Sequence, residues 1–529
     1  MGLSQVQHPD SNFASSPGAV HERACDSQWP SYDYFRAFYT VAVLVLLVFI
    51  IRKAWLDLDE SWDSLAYHMP FAALRAGVIT QQQYHLSKWI SGLYAGMPVL
   101  PDYLQGGLWR LTSRAQAANF VSLFALMCVT SFFRLRHKIP FAYILAGFLG
   151  IPVILIQSTS ACVDLFTNSF ATMLLFSIFT AWIDPEDFSV GDAAIALLCV
   201  AVVINSKTQF IVIGTLALFG LALVTYVNRR RLILMRKQLL MGSGWTRYLF
   251  VLIVFLSVSL AYVVPVRNLI KFHNPFYPVA VSIGHIYLPG QFNARGLGDE
   301  PLYLSHSRQW KRWLLSVVEY EAFDGRNPLW TNGQGDVGLN SKALRMGGTF
   351  GALALFNIFL FMILQAKVRD RYGMKPSVFL LVIILITAFM PASQEIRYYS
   401  YWLMCLIALN LFMIENGLND PERRTFKQLA AAAIASFLLF VLCSTGFRYV
   451  RATHHSPEVL VKGANIEKQF DDMHLRKGEA ICVEGKMPRT FLYSPNFNPG
   501  AASRFHYRVL EGYQPQDEAE DCGTNRILR

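Results

Sequence analysis

Charge is what this chain has least of. Only 16% of its 529 residues are Asp, Glu, Lys or Arg, against about 25% in a soluble protein. With 53% hydrophobic residues, that deficit excludes an ordinary soluble enzyme. Ionisable side chains are also nearly missing from the apolar runs themselves, where a transporter would carry charges and paired broken helices. No glycine-rich nucleotide-binding motif is visible. Residues 1–33 lack a basic stretch leading into a short apolar core, so they read as a disordered tail and not as a cleavable signal.

What is present is apolar length. Eleven runs are read as membrane spans: 34–51, 117–133, 140–157, 165–183, 193–205, 208–227, 248–266, 348–365, 377–390, 401–415 and 429–447. The stretch 92–111 is semi-apolar but interrupted by Pro98 and Pro101, and reads as helices lying along the interface. The expected architecture is an all-α polytopic bundle over 34–447, with juxtamembrane helices and a small soluble domain over 448–529.

The net charge, 47 minus 36 or +11, reads as topology and not as nucleic-acid binding. Lys and Arg cluster in the loops after the second, sixth, eighth and tenth spans: Arg134 and Arg136, Arg229 to Arg231, Lys367 to Arg371, and Arg423 to Lys427. Placing those loops in the cytoplasm puts the N-terminus inside and the C-terminus outside. The segments 52–115, 158–164, 206–207, 267–345, 391–400 and 448–529 then share the outer face. Cys128, Cys199, Cys405 and Cys443 fall within spans as small core residues. Cys482 and Cys522 fall in the outer domain, where an oxidising compartment permits a disulfide between them.

The outer segments carry a recurring set of polar residues. The first brings Asp63, Tyr67 and His68, next to an acidic run (Asp57, Asp59, Glu60) that reads as a solvated face. Asp164 precedes the fourth span, where it also suits an N-cap, and Lys207 precedes the sixth. Arg267 and Asn268 end the seventh span, His273 and Asn274 follow, and Arg397 and Tyr398 precede the tenth. Each cation suits an interfacial anchor as well as a ligand. Together they suit one chemistry: a carboxylate deprotonates a hydroxyl while cations hold an anionic leaving group. A lipid phosphate as leaving group would put that clamp near the headgroup plane.

Trp62-Asp-Ser-Leu-Ala-Tyr-His-Met-Pro70 resembles the first-loop motif of the GT-C superfamily of membrane glycosyltransferases. The bacterial members similar to protein O-mannosyltransferases and to the lipid A aminoarabinose transferase are nearest. Gln157-Ser-Thr-Ser-Ala-Cys-Val-Asp164 resembles their second acidic motif. Pro265-Val-Arg-Asn268 with His273-Asn-Pro-Phe-Tyr-Pro278 is similar to their Arg-Asn and Asn-Pro-x-Tyr-Pro element, and Glu395-Ile-Arg-Tyr398 to a late Arg-Tyr element. Two departures stand out. Ser64 replaces the second acid of the mannosyltransferase pair, which argues against protein as acceptor, and His273 stands where many relatives have Gly.

The resemblance implies an inverting transfer of sugar from a polyprenyl-phosphate donor to a hydroxyl on a lipid, glycan or protein. Asp63 would be the general base and Asp164 a second catalytic acid. Tyr67, His68, Lys207, Arg267, Asn268, His273, Arg397 and Tyr398 are candidate substrate ligands. No cofactor is required, although some superfamily members use a divalent ion, for which Asp63, Asp164 and His68 are the candidates. The expected setting is the bacterial inner membrane, with the site facing outside. The competing readings are a flippase or transporter of lipid-linked sugars, and a polymerase or ligase using polyprenyl-diphosphate glycans.

Overall fold

The computed structural model describes residues 30–228, 244–283, 285–293, 307–318, 349–474, 480–486, 488–512 and 526–528. Most of the polar tail, the basic run at 229–237, much of the 267–345 loop and Cys522 lie outside the described residues. With no water in hydrocarbon to satisfy peptide groups, each apolar run closes its hydrogen bonds internally as a helix.

The chain begins with α1 (Pro30–Leu56). Three short helices follow: α2 (Met69–Arg75), α3 (Lys88–Gly96) and α4 (Leu100–Thr112). The bundle resumes with α5 (Phe120–His137), α6 (Phe141–Leu149), α7 (Pro152–Gln157) and α8 (Asp164–Ile183). It continues through α9 (Val190–Ile204), α10 (Phe210–Val227) and α11 (Gly244–Phe272). After α12 (Gln309–Val318) come α13 (Thr349–Lys367), α14 (Lys375–Phe389), α15 (Tyr401–Gly417) and α16 (Asp420–Ser444). Among the described residues, seven helices are long and apolar enough to cross a membrane, and α9, α14 and α15 are shorter apolar helices.

The third apolar stretch departs from expectation. Residues 140–157 form two helices, α6 and α7, and not one continuous span. Pro152 cannot donate to the ladder and forces the residue before it out of helical geometry; Ile151 accordingly adopts φ −78°, ψ 112°. The bundle is centred on α15, whose residues from Tyr401 to Ile414 are all buried. Helices α1 and α11 lie outermost, exposing Val48, Phe49, Val251 and Phe255, as lipid-facing helices do.

Helices α2 to α4 do not stand alone above the bundle. They share one hydrophobic core with the C-terminal segment, in which Leu58, Phe71, Tyr84, Ile90, Phe470, Phe491 and Val509 are buried together. Two small sheets qualify the all-α expectation. Strand β1 (Tyr84–His85) lies in a four-stranded sheet, and β2 (Val279–Ile283), β3 (Ile286–Leu288) and β4 (Phe292–Asn293) form a three-stranded one. The larger sheet is completed by β5 (Ala480–Lys486), β6 (His506–Gly512) and β7 (Arg526–Leu528), in the order β1-β6-β5-β7 with parallel pairing throughout. Tyr84 pairs with Val509, so a strand of the first loop is the edge of the C-terminal sheet. Cys482, on β5, is disulfide-bonded.

The acidic run after α1 is not a solvated face. The Asp57 carboxylate accepts from the Thr453 backbone N–H at 2.9 Å and from its hydroxyl at 3.0 Å, and it pairs with Lys53 at 2.9 Å. Asp59 accepts from the Ser160 hydroxyl at 2.5 Å, the Ala161 N–H at 2.9 Å and the Ser64 hydroxyl. Glu60 meets His455 at 2.5 Å. Each acid therefore ties the first loop to a segment about a hundred or more residues away, a connection that spacing along the sequence does not encode.

The Asp57 knot sets a pH-dependent stability. Burial pushes its carboxyl up, but the Thr453 N–H and Lys53 outweigh that and hold it below the ordinary range. A depressed carboxyl stabilises above its unfolded value of about 3.9 and loses that contribution as pH falls through the folded value. Asp57→Asn should therefore lower thermal stability near neutral pH by about 1.5–3 kcal/mol, the worth of hydrogen bonds to a charged group. The gap to wild type should close below about pH 4. Unfolding midpoints in detergent across that range check it, and a gap that stays constant would contradict it.

Candidate functional site

Asp63 lies at the start of an irregular helical turn. Residues Ser64–His68 form a single π-helical turn running directly into α2, a local widening often found at functional sites. Asp59 fixes its lower end through Ser64 and Ser61. The turn aims Asp63, Tyr67 and His68 at a common cavity between the bundle and the short helices.

Two ion pairs each contribute one member to the lining of that cavity, Asp63 and Lys207. Arg397, from the loop before α15, donates to Asp63 at 2.6 Å. Lys207, between α9 and α10, pairs with Asp164 at the start of α8. Tyr398 sits between the two cations: Lys207 lies 3.6 Å from its ring centroid, and Arg397 reaches its hydroxyl at 3.4 Å. Asn168, one turn along α8, locks the arrangement. Its amide donates to the Asp164 carbonyl at 2.8 Å and to the Arg397 carbonyl at 3.0 Å, while its oxygen accepts from the Tyr401 N–H at 2.9 Å.

Asp164 is the first residue of α8, not its cap, and its side chain makes no capping bond. It is instead shared between Lys207 and the Gln157 amide, the latter at 3.2 Å. Lys207 and Arg397 likewise hold acids, and neither snorkels to water as an anchor would.

Burial and pairing compete at each group. Burial pushes the Asp63 carboxyl up, yet Arg397 and Lys207 outweigh it and hold it below the ordinary range. Burial pulls the Arg397 guanidinium down, but Asp63 and its other anionic neighbours keep it firmly charged. Lys207 is drawn down by burial, with Arg397 adding to the effect against Asp164. The buried imidazole of His68 falls to about 4 and is neutral near pH 7. A third acid that the sequence reading quoted but assigned no role, Glu395, lies 3.7 Å from the other edge of the Arg397 guanidinium, and burial pushes it up to about 7.

The candidate divalent-ion set does not fit. Arg397 and Lys207 already occupy carboxylate oxygens of Asp63 and Asp164 that an ion would need. No three His, Cys, Asp or Glu side chains converge as metal ligands among the described residues.

Three other candidates lie apart from the ion pairs. Arg267, at the end of α11, donates to the Ala95 carbonyl at 2.7 Å, and Asn268 donates to the Gly96 and Tyr277 carbonyls at 2.7 and 3.0 Å. Their common role is to fasten the end of α3 to α11. A Cβ at Gly96 would run into the Tyr277 ring, so the close approach needs glycine there. His273 is exposed and ends α11 with φ +55°, a left-handed conformation that glycine adopts without strain.

The cavity is otherwise aromatic. Trp62, Phe71, Trp89 and Phe292 line it together with Tyr67 and Tyr398, and Asp102 of α4 lies on its wall. Trp62 belongs to the first-loop motif but has no role assigned from sequence, and Phe71, Trp89, Phe292 and Asp102 are not singled out by it. For Phe71 and Trp89 the available signal is the aromatic richness of 52–115.

No protein-family profile matches the sequence, and no curated protein is recognisably similar to it. Among solved structures, ArnT from Cupriavidus metallidurans in the apo state is similar with a TM-score of 0.50 and 13% identity, over 92% of this chain and 87% of that one. The structure of ArnT from the same organism bound to undecaprenyl phosphate gives a TM-score of 0.48 and 12% identity, over 93% and 90%. The chain is a multi-pass membrane protein with the GT-C fold.

Proposed function

We propose that this protein is an inverting glycosyltransferase that moves a sugar from a polyprenyl-phosphate carrier to a hydroxyl acceptor. The observation that carries the reading is Asp63, on the wall of a cavity at the membrane-helix ends, held in an ion pair by Arg397 behind it. The first-loop motif and the fold support it. By the distribution of Lys and Arg, the cavity faces the periplasm of a bacterial inner membrane.

In the proposed step the acceptor oxygen attacks the anomeric carbon and gives its proton to Asp63. The bond from that carbon to the phosphate oxygen breaks, the electron pair leaves with the carrier phosphate, and the anomeric configuration inverts. Lys207 and Arg397 hold the departing phosphate by charge-assisted hydrogen bonds. In the free protein both cations are engaged with acids. An incoming phosphate competes for Arg397, and the buried Asp63 then loses the partner that keeps its basicity low. Burial alone raises a carboxylate, so donor binding turns Asp63 into the stronger base. The ion pair thereby couples the base to the presence of donor.

Asp63→Asn keeps size and polarity but removes the base. Transfer should fall by about two to four orders of magnitude, the usual contribution of a positioned acid–base group, with donor affinity undiminished, since the carboxylate that competes with the phosphate for Arg397 is gone. Normal turnover in a folded Asp63→Asn protein would defeat the proposal.

The exchange of partners has its own signature in pH profiles. The acid limb of kcat/KM reports the free enzyme and that of kcat the donor complex. With Glu395→Gln as background, to remove the group at about 7, the kcat limb should lie at higher pH than the kcat/KM limb. Adding Arg397→Met should move the kcat/KM limb upward, because burial then acts on Asp63 with less opposition. Superimposed limbs, unmoved by Arg397→Met, would show that Arg397 does not control Asp63.

A further inference from the structure

The cavity has a second charged pole that the proposed step does not use. Asp102, in the first turn of α4, is 4% exposed and lines the same cavity as Asp63. Its Oδ2 accepts from Nε of Arg75 at 3.1 Å. Its Oδ1 accepts no hydrogen bond among the described residues. Arg75 is tied down separately: it donates to the Tyr94 carbonyl at 2.8 Å, and its guanidinium lies 4.4 Å from the Tyr94 ring centroid. Helices α2 and α4 are held close at this point, since a Cβ on Gly106 would run into the Ala72 carbonyl.

A carboxylate bound only to fasten two helices would spend both oxygens on them. This one spends a single oxygen and leaves the other facing a cavity whose walls are Phe71, Trp89 and Phe292. Burial pushes the Asp102 carboxyl up to about 6, against the pull of Arg75, so near neutral pH it is an ionised acceptor with one oxygen still unspent. Apolar walls with a few fixed polar groups are how small-ligand pockets set orientation, and an aromatic face suits the C–H side of a sugar ring.

We infer that Asp102 is the sugar-recognition residue of the cavity, accepting hydrogen bonds from the hydroxyl or amino groups of the transferred glycosyl unit while its phosphate lies at Lys207 and Arg397. This rests on the transferase reading and extends it. The two ends of the donor are read separately: the carrier phosphate by the paired cations, and the sugar by Asp102 and the aromatic wall.

The test compares two ligands on the full-length protein in lipid nanodiscs: undecaprenyl phosphate, and the same carrier bearing a single sugar, tried across neutral and amino pentoses and hexoses. Wild type should bind both, with the best-matched sugar adding affinity over the bare carrier. Asp102→Asn should remove that increment, a loss of about 10–100-fold for a hydrogen bond to a charged group, and leave bare-carrier affinity unchanged. Asp102→Glu keeps a carboxylate for Arg75 but pushes it into the cavity; it should lose the same increment. Equal weakening of both ligands would make Asp102 a helix fastener only, and no change would remove it from the site. Wild type that binds neither lipid would overturn the transferase reading, and this inference with it. Should neither variant fold, a structure of wild type with the glycosylated carrier decides. A sugar hydroxyl or amine within hydrogen-bond distance of Asp102 upholds the inference, and a ring seated elsewhere overturns it.

Discussion

Arg397 joins the loop before α15 to the first loop, and the geometry of the cavity depends on that one contact. Its guanidinium holds Asp63 at 2.6 Å while its own backbone carbonyl is held by Asn168 of α8. Burying two charges costs several kcal/mol each, and their mutual attraction repays this only with good geometry and further hydrogen bonds. A fold in need of stability alone would do as well with packed apolar side chains here. Keeping two opposed ion pairs, Asp63 with Arg397 and Asp164 with Lys207, at one cavity suits a site whose charges are meant to change partners.

Contacts between distant segments fix the surroundings of these ion pairs. Asp57, Asp59 and Glu60 pin the first loop to residues 453–455 and 160–161. Arg267 and Asn268 pin α3 to α11. The C-terminal strands share a core and a sheet with the first loop, so the described part of 448–529 braces the first-loop motif directly. The proposed transfer would need such support, because proton transfer and in-line attack tolerate little displacement of a carboxylate.

Much of this was legible from sequence, for definable reasons. Hydrocarbon leaves helices as the only economical form for an isolated apolar run, so the eleven stretches could be read from apolar length. The alternation of spans then put Asp63, Asp164, Lys207 and Arg397 at one end, and the structure brings those four together. Hydropathy does not register the break at Pro152, because the run stays apolar through it. Sequence also could not separate Arg267 from Arg397: both are helix-end arginines, and only packing shows that one bonds a backbone carbonyl and the other a carboxylate. The acidic run read as solvent-facing because its partners lie about a hundred to four hundred residues away. The left-handed backbone at His273 is visible only in three dimensions.

The central claim is that a sugar leaves its lipid carrier in this cavity. The most direct measurement follows purified protein in liposomes given a labelled polyprenyl-phosphate sugar and a membrane lipid extract as acceptor. The account predicts release of carrier phosphate in step with label appearing on an acceptor hydroxyl, with inverted anomeric configuration and no requirement for a nucleotide sugar. Label that crosses the bilayer still attached to its carrier, with no phosphate released, would contradict it.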